Sequence, residues 1–192
     1  MKYIPLVLIL STSICFATPM KGFGARYYDE DTETSLPTYN TDKELIPNII
    51  IGNNQYSMET NTLTDISNHT GVAINKDDQA IWICLKAKGI DYWFISDNEM
   101  GQGNLTAIAI GEGGEGCVLY AGKLSVTIKN TPLLDAATEK VSSYFNVKPE
   151  KDVVMYCKDT KVSDEYTKGN CVQYYLENEK VEGVFISQLT TS

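Results

Sequence analysis

Gly111, Gly113 and Gly116 stand in the spacing G-x-G-x-x-G within IAIGEGGEGCVLY, directly after an apolar run. That spacing outlines a dinucleotide-binding turn, in which glycines let the backbone approach a pyrophosphate held at a helix N-terminus. The residues that follow do not supply the helix. CVLYAGKLSVTIK is rich in β-branched and aromatic residues and has no helical period. Glu112 and Glu115, inside the turn, would repel a phosphate. The stretch therefore reads as a flexible bend between strands that binds no nucleotide, with Cys117 placed to staple it to a sheet. No cofactor is expected.

Other chemistry-bearing residues are few. His69 is the only histidine and sits in SNHTG, which reads as an exposed polar turn. A Ser-His-Asp or Cys-His enzyme would have to use it, yet no G-x-S-x-G accompanies it and no H-E-x-x-H marks a zinc hydrolase. The acidic run Asp29, Glu30, Asp31 and Glu33 raises calcium, but the mid-loop glycine and flanking helices of an EF-hand are missing. It reads as a solvated charge run, and no metal site is expected. Carboxylate-only catalysis needs just two acids about 5–10 Å apart, and 25 acids offer many pairs. The nearest candidate is Glu99, whose loop follows Tyr92-Trp93-Phe94. No catalytic residue is assigned on these grounds.

Aromatic residues are the remaining lead. Twelve tyrosines and two tryptophans suit a binding surface, because Tyr and Trp bury large area with few rotatable bonds. Tyr27-Tyr28, Tyr156, Tyr166, Tyr174 and Tyr175 divide between core and surface, and Tyr174 is taken as a partner contact. Acidic contacts are expected at Asp29, Glu30 and Asp31, and at Glu112 and Glu115 in the bend.

The flanking sequence bounds the compartment. MKYIPLVLILSTSICFATPMK carries a lysine, a short apolar stretch and small residues at Cys15 and Ala17, the pattern of a signal peptide over 1–17. Its apolar stretch is shorter than the about 20 residues of a membrane-spanning helix. Cys84, Cys117, Cys157 and Cys171 then form an even set in an exported chain, which predicts two disulfides. Cys157 and Cys171 flank one connection between two strands, so the predicted pairs are Cys157–Cys171 and Cys84–Cys117. The formal net charge of −9 disfavours nucleic acid and anionic membranes and favours a basic protein partner.

The elements that position these residues read as strands. Residues 18–44 are polar, without apolar period, and are expected to form an exposed acidic arm. From 45 the pattern is β: 49–51, 55–59, 71–74, 80–86, 92–96, 105–110, 118–120 and 124–129, then 152–157, 171–176 and 181–186. In 80–86 both faces are apolar, which predicts a central strand. One helix is expected over about 132–145, capped by Thr131, with Pro132 at its first position and Leu133, Leu134, Ala137, Val141 and Tyr144 as its apolar stripe. The expected fold is a strand-dominated α+β domain over 45–192, a mainly antiparallel sheet or meander with one helix on one face. By elimination, the function expected is that of an exported, non-enzymatic protein-binding protein, most concretely a periplasmic immunity or inhibitor protein that neutralises a basic toxin or hydrolase. The alternatives are a secreted carboxylate-dependent hydrolase of glycan or peptide and a structural subunit of a surface assembly.

Overall fold

The computed structural model describes residues 19–28, 36–114 and 116–192. Within them the fold is α+β and strand-dominated, as the patterning predicts. The signal peptide expected over 1–17, and Asp29, Glu30, Asp31 and Glu115, lie outside the described residues.

The strands are β1 (Thr38–Asn40), β2 (Pro47–Ile51), β3 (Asn54–Tyr56), β4 (Asn75–Lys76), β5 (Ala80–Ala87), β6 (Ile90–Asp97), β7 (Ala107–Glu112), β8 (Val118–Leu119), β9 (Leu124–Ile128), β10 (Val153–Lys161), β11 (Thr167–Glu177) and β12 (Lys180–Thr191). Nine of them form one sheet in the order β1-β10-β11-β12-β7-β6-β5-β4, with β8 also on β5. Only β1 on β10 and β8 on β5 pair in parallel. β3, β2 and β9 make a second, smaller antiparallel sheet. The β5–β6 turn has positive φ at Lys88 and Gly89, and the β11–β12 turn has it at Asn178 and Glu179. Two positive-φ residues match the right-handed twist of hairpin strands.

Side-chain alternation divides the core between the two faces of the large sheet. On the front face, Ile83, Leu85, Tyr92, Phe94, Ile108, Ile110, Tyr156 and Tyr174 pack with Ile49, Ile51, Val126 and Ile128 of the small sheet. Two helices, α1 (Leu63–Thr70) and α2 (Thr138–Phe145), add Leu63, Ile66, Val141 and Phe145 to this layer. On the back face, Trp82, Trp93, Ile95, Tyr175 and Phe185 are covered by Met20, Phe23, Tyr27 and Tyr28. β5 is buried on both faces, as its pattern predicts.

Five expectations are corrected. The described residues of the arm expected over 18–44 are in part packed on or paired with the sheet. Gly22–Tyr28 is a 3-10 helix on the back face, with Met20 buried beside it, and Thr38–Asn40 pairs with β10. Tyr27 donates to Asp97 Oδ2 at 2.9 Å, and Tyr28 donates to Asp77 Oδ2, so both tyrosines lock the helix to the end of the β5–β6 hairpin. The helix expected over 132–145 begins only at Thr138. The residues before it pair instead with the start of β12: Asp135 N–H donates to Val181 O, and Val181 N–H donates to Ala136 O. These tertiary hydrogen bonds outweigh helix propensity, which is a weak preference. His69 lies in the last turn of α1, not in a turn, because Thr62 and Asp65 form a capping box and Gly71 closes the helix at φ +72°. Residues 71–74 form no strand, and the polar connection expected after 157 is mostly the paired ends of β10 and β11.

Both predicted cysteine pairs are within bonding distance: Cys157–Cys171 with Cα atoms 4.1 Å apart, and Cys84–Cys117 at 4.6 Å. Cys157 and Cys171 are direct cross-strand partners of β10 and β11.

Candidate acidic cleft

The glycine-rich bend has a structural explanation. After β7 the chain crosses the back of the sheet and reaches the outer edge of β5, where β8 pairs and Cys117 meets Cys84. No helix follows it. Gly111 and Gly183 are cross-strand partners, and a Cβ on either would fall within 2.8 Å of the Phe23 ring. Gly114 presses on Trp93 in the same way. Gly113 and Gly116 take φ of +74° and +91°, which a glycine adopts without steric penalty.

Beneath the bend lies a buried charge. Asp91 is wholly inaccessible. Its Oδ2 accepts the Gly114 N–H at 2.7 Å. Its Oδ1 lies 3.1 Å from Lys86 Nζ, an ion pair outside hydrogen-bond geometry. Lys86 also donates to Gly114 O at 3.3 Å. One cross-strand pair of β5 and β6 thus clamps the bend, and with it the end of β7 that carries Glu112.

Glu112 forms one wall of a cleft of about 690 Å³. The 3-10 helix contributes Phe23 and Arg26, the loop before α2 contributes Asp135, and the β11–β12 hairpin contributes Glu177, Lys180 and Glu182. The hairpin is irregular here. Tyr175 pairs with Gly183 and Leu176 with Val181, which leaves Glu182 unpaired as a β-bulge. A bulge re-aims a side chain and often does so at a functional site. Here it brings Glu182 to Glu177. The hydrogen bond between the two carboxyl groups, then slight burial and their like charge, push the Glu182 carboxyl above its usual range, while Arg26 opposes the shift.

The remaining expected site residues lie elsewhere. Tyr174 is fully buried and its hydroxyl donates to Pro132 O at 2.8 Å. Its expected role as a partner contact is therefore corrected: it is a core residue whose hydroxyl holds the loop before α2, and desolvation pushes that hydroxyl far up. Glu99 is exposed on the loop after β6, outside the cleft, and its N–H donates to Asp97 Oδ1. His69 Nδ1 contacts Tyr56 Oη at 2.8 Å and Asn54 Nδ2 at 2.6 Å, and His69 does not line the cleft. No group of three or more His, Cys, Asp or Glu that could hold a metal occurs among the described residues.

Of the expected site residues, Glu112 lines this cleft; Arg26, Asp135, Glu177 and Glu182, which share it, were not among them. A hint was present in the E-x-x-x-x-E spacing across the hairpin, but the bulge that turns it into a pair is not a local pattern. No helix among the described residues is long and apolar enough to cross a membrane. No family model matches this chain, and the searches of curated proteins and of solved structures likewise find no match.

Proposed function

We propose that this chain is an exported, non-enzymatic protein-binding protein that receives a basic segment of its partner in the acidic cleft. The observation that carries the reading is the Glu177–Glu182 pair. Two carboxyl groups held together by a bulge repel each other when both are ionised, and a lysine or arginine inserted between them relieves that repulsion. Glu112 and Asp135 in the same cleft extend the field, and the net charge of −9 steers a basic partner from a distance. The most concrete version is a periplasmic immunity or inhibitor protein that covers the cleft of a basic toxin or hydrolase. Two disulfides suit an oxidising compartment.

The experiment is kinetic. Envelope proteins that bind the immobilised chain at low salt are identified, and binding is repeated with Glu112→Gln/Glu177→Gln/Glu182→Gln. The expected result is an association rate reduced several-fold, with its salt dependence weakened. An association rate indifferent to both salt and the three substitutions overturns the reading.

The same pair supports a second reading, a carboxylate-dependent hydrolase, since a raised carboxyl is the mark of a general acid. Here the leading cause is a hydrogen bond to Glu177 rather than desolvation, and Glu182 is exposed, which favours binding over proton transfer. Glycan or peptide cleavage that Glu182→Gln abolishes would favour the hydrolase instead.

A further inference from the structure

A second cavity lies on the other side of Arg26. It measures about 400 Å³ and sits between the 3-10 helix and the back face of the large sheet. That volume is within the range of about 300–1,000 Å³ typical of small-molecule sites. Its floor comes from alternate residues of β7, β10, β11 and β12: Ala107, Met155, Gln173, Tyr175, Phe185 and Ser187. The space has a specific origin. Ala107 and Ser187 are cross-strand partners, and two small side chains facing each other leave a hollow beside Phe185. On the front face of the same strands, the neighbouring pair Ile108–Ile186 is large and fully buried.

Arg26 is the only arginine in the chain. Its guanidinium carbon lies 4.8 Å from the Tyr175 ring centroid and 5.9 Å from that of Phe23. Gln173 Nε2 donates to the Tyr175 hydroxyl at 2.8 Å and steadies the ring beneath the cation. Stacking uses the face of a guanidinium and leaves its edge N–H groups directed sideways, in the geometry that grips a carboxylate. Among the described residues, no carboxylate lies within 4.0 Å of Arg26. A chain with 25 acidic residues therefore holds its one arginine on an aromatic face, at the mouth of an apolar hollow, where its field reaches Glu182 but no carboxylate of those residues is in ion-pair contact with it.

We propose that this cavity binds a small amphipathic monocarboxylate, a flat apolar body against Phe185, Met155 and Ala107 with its carboxylate gripped by Arg26. The single charge follows from the lining. Arg26 is its one cationic residue, so a phosphate dianion would be left half-neutralised beside the acidic cleft. A cationic ligand would meet Arg26 directly. The site is separate in its ligand chemistry from the protein-binding cleft.

The test is calorimetric titration of the full chain with 2-naphthoate and with its uncharged counterpart 2-naphthamide. The expected result is saturable one-to-one binding of 2-naphthoate, at least about tenfold tighter than 2-naphthamide, as a charge-assisted hydrogen bond supplies. Arg26→Met should reduce 2-naphthoate to the affinity of 2-naphthamide and leave the amide unchanged. Ser187→Leu, which fills the hollow, should remove both. Arg26 is exposed on the helix, so its substitution tests the site independently of any folding effect of Ser187→Leu. Absence of saturable 2-naphthoate binding at millimolar concentration overturns the proposal. So does equal affinity for acid and amide, or 2-naphthoate binding that Arg26→Met leaves intact. None of these outcomes bears on the Glu112, Glu177 and Glu182 kinetics.

Discussion

Substituting Lys86 should destabilise the protein more than substituting its buried partner Asp91, although Lys86 is the more exposed of the two. The Asp91 side chain is 0% accessible and that of Lys86 is 30% accessible. Lys86→Met leaves a carboxylate sealed under the bend with only the Gly114 N–H to stabilise it. Removing one partner of a buried pair costs about 3–5 kcal/mol, and the partial hydration of Lys86 places this pair near the low end, about 3 kcal/mol. Asp91→Asn keeps an oxygen acceptor for Gly114 and lets Lys86 turn to water. It loses the charge reinforcement of one hydrogen bond, about 1–2 kcal/mol. The sign of the second step is the sharpest outcome. In the Lys86→Met background, Asp91→Asn should restore roughly 1–2 kcal/mol, because it removes the stranded charge. The assay is urea unfolding with both disulfides intact, followed by tryptophan fluorescence, since Gly114 packs on Trp93. With a slope of about 1–3 kcal/mol per molar urea, the Lys86→Met midpoint should fall by roughly 1–3 M. If Asp91→Asn destabilises the Lys86→Met protein further, the buried-charge reasoning is wrong.

Three further outcomes are expected. Gly183→Ala places a Cβ 2.2 Å from the Phe23 ring and should displace the 3-10 helix. Phe23→Ala should relieve that clash, giving a coupling of about 0.5–3 kcal/mol in a double-mutant cycle by thermal unfolding. Replacing Cys84 and Cys117 together by alanine should cost about 4 kcal/mol, and replacing Cys157 and Cys171 about 3 kcal/mol, because the sequence separations are 33 and 14 and loop-closure entropy grows with length. Two glutamates should tilt the pH dependence of stability in opposite senses. Burial works to raise the Glu59 carboxyl, but hydrogen bonds from Thr190, Gln188 and Lys168 outweigh it and hold it below its ordinary 4.5. The unfolded chain then binds more protons, so Glu59's contribution is present above about pH 4.5 and lost as the pH falls through the lower folded value. Glu59→Gln should flatten that acid limb in urea unfolding. The raised Glu182 carboxyl has the reverse sign: its ionised form disfavours the fold at neutral pH, so Glu182→Gln should stabilise there, and the gain should vanish on acidification.

What the sequence determined alone lies within short stretches of chain. The apolar residues at both odd and even positions of 80–86 specify a strand buried on both faces, because side chains of successive residues point to opposite faces. The β-branched residues after Gly116 exclude the helix that a dinucleotide turn needs, and β8 and β9 stand there instead. Pairing of Cys157 with Cys171 follows from the hairpin that joins their strands. The capping box at Thr62 and Asp65 was equally local and was readable, though α1 was not inferred from it. Only the tertiary structure decided what lies over each sheet face. Tyr27 reaches Asp97 across 70 residues, and no local pattern in a polar segment announces such a contact. The start of α2 at Thr138 depends on backbone groups of β12 that compete for the preceding residues. Tyr174 and Tyr175 are adjacent, yet one fills the front core and the other floors the cavity under Arg26, a division set by strand register. The bulge at Glu182 shifts that register by one residue and turns two unremarkable surface acids into a facing pair. Register and bulges are set by the packing of a whole sheet against its covering layers, so the sequence carries the spacing of the two acids but not their pairing.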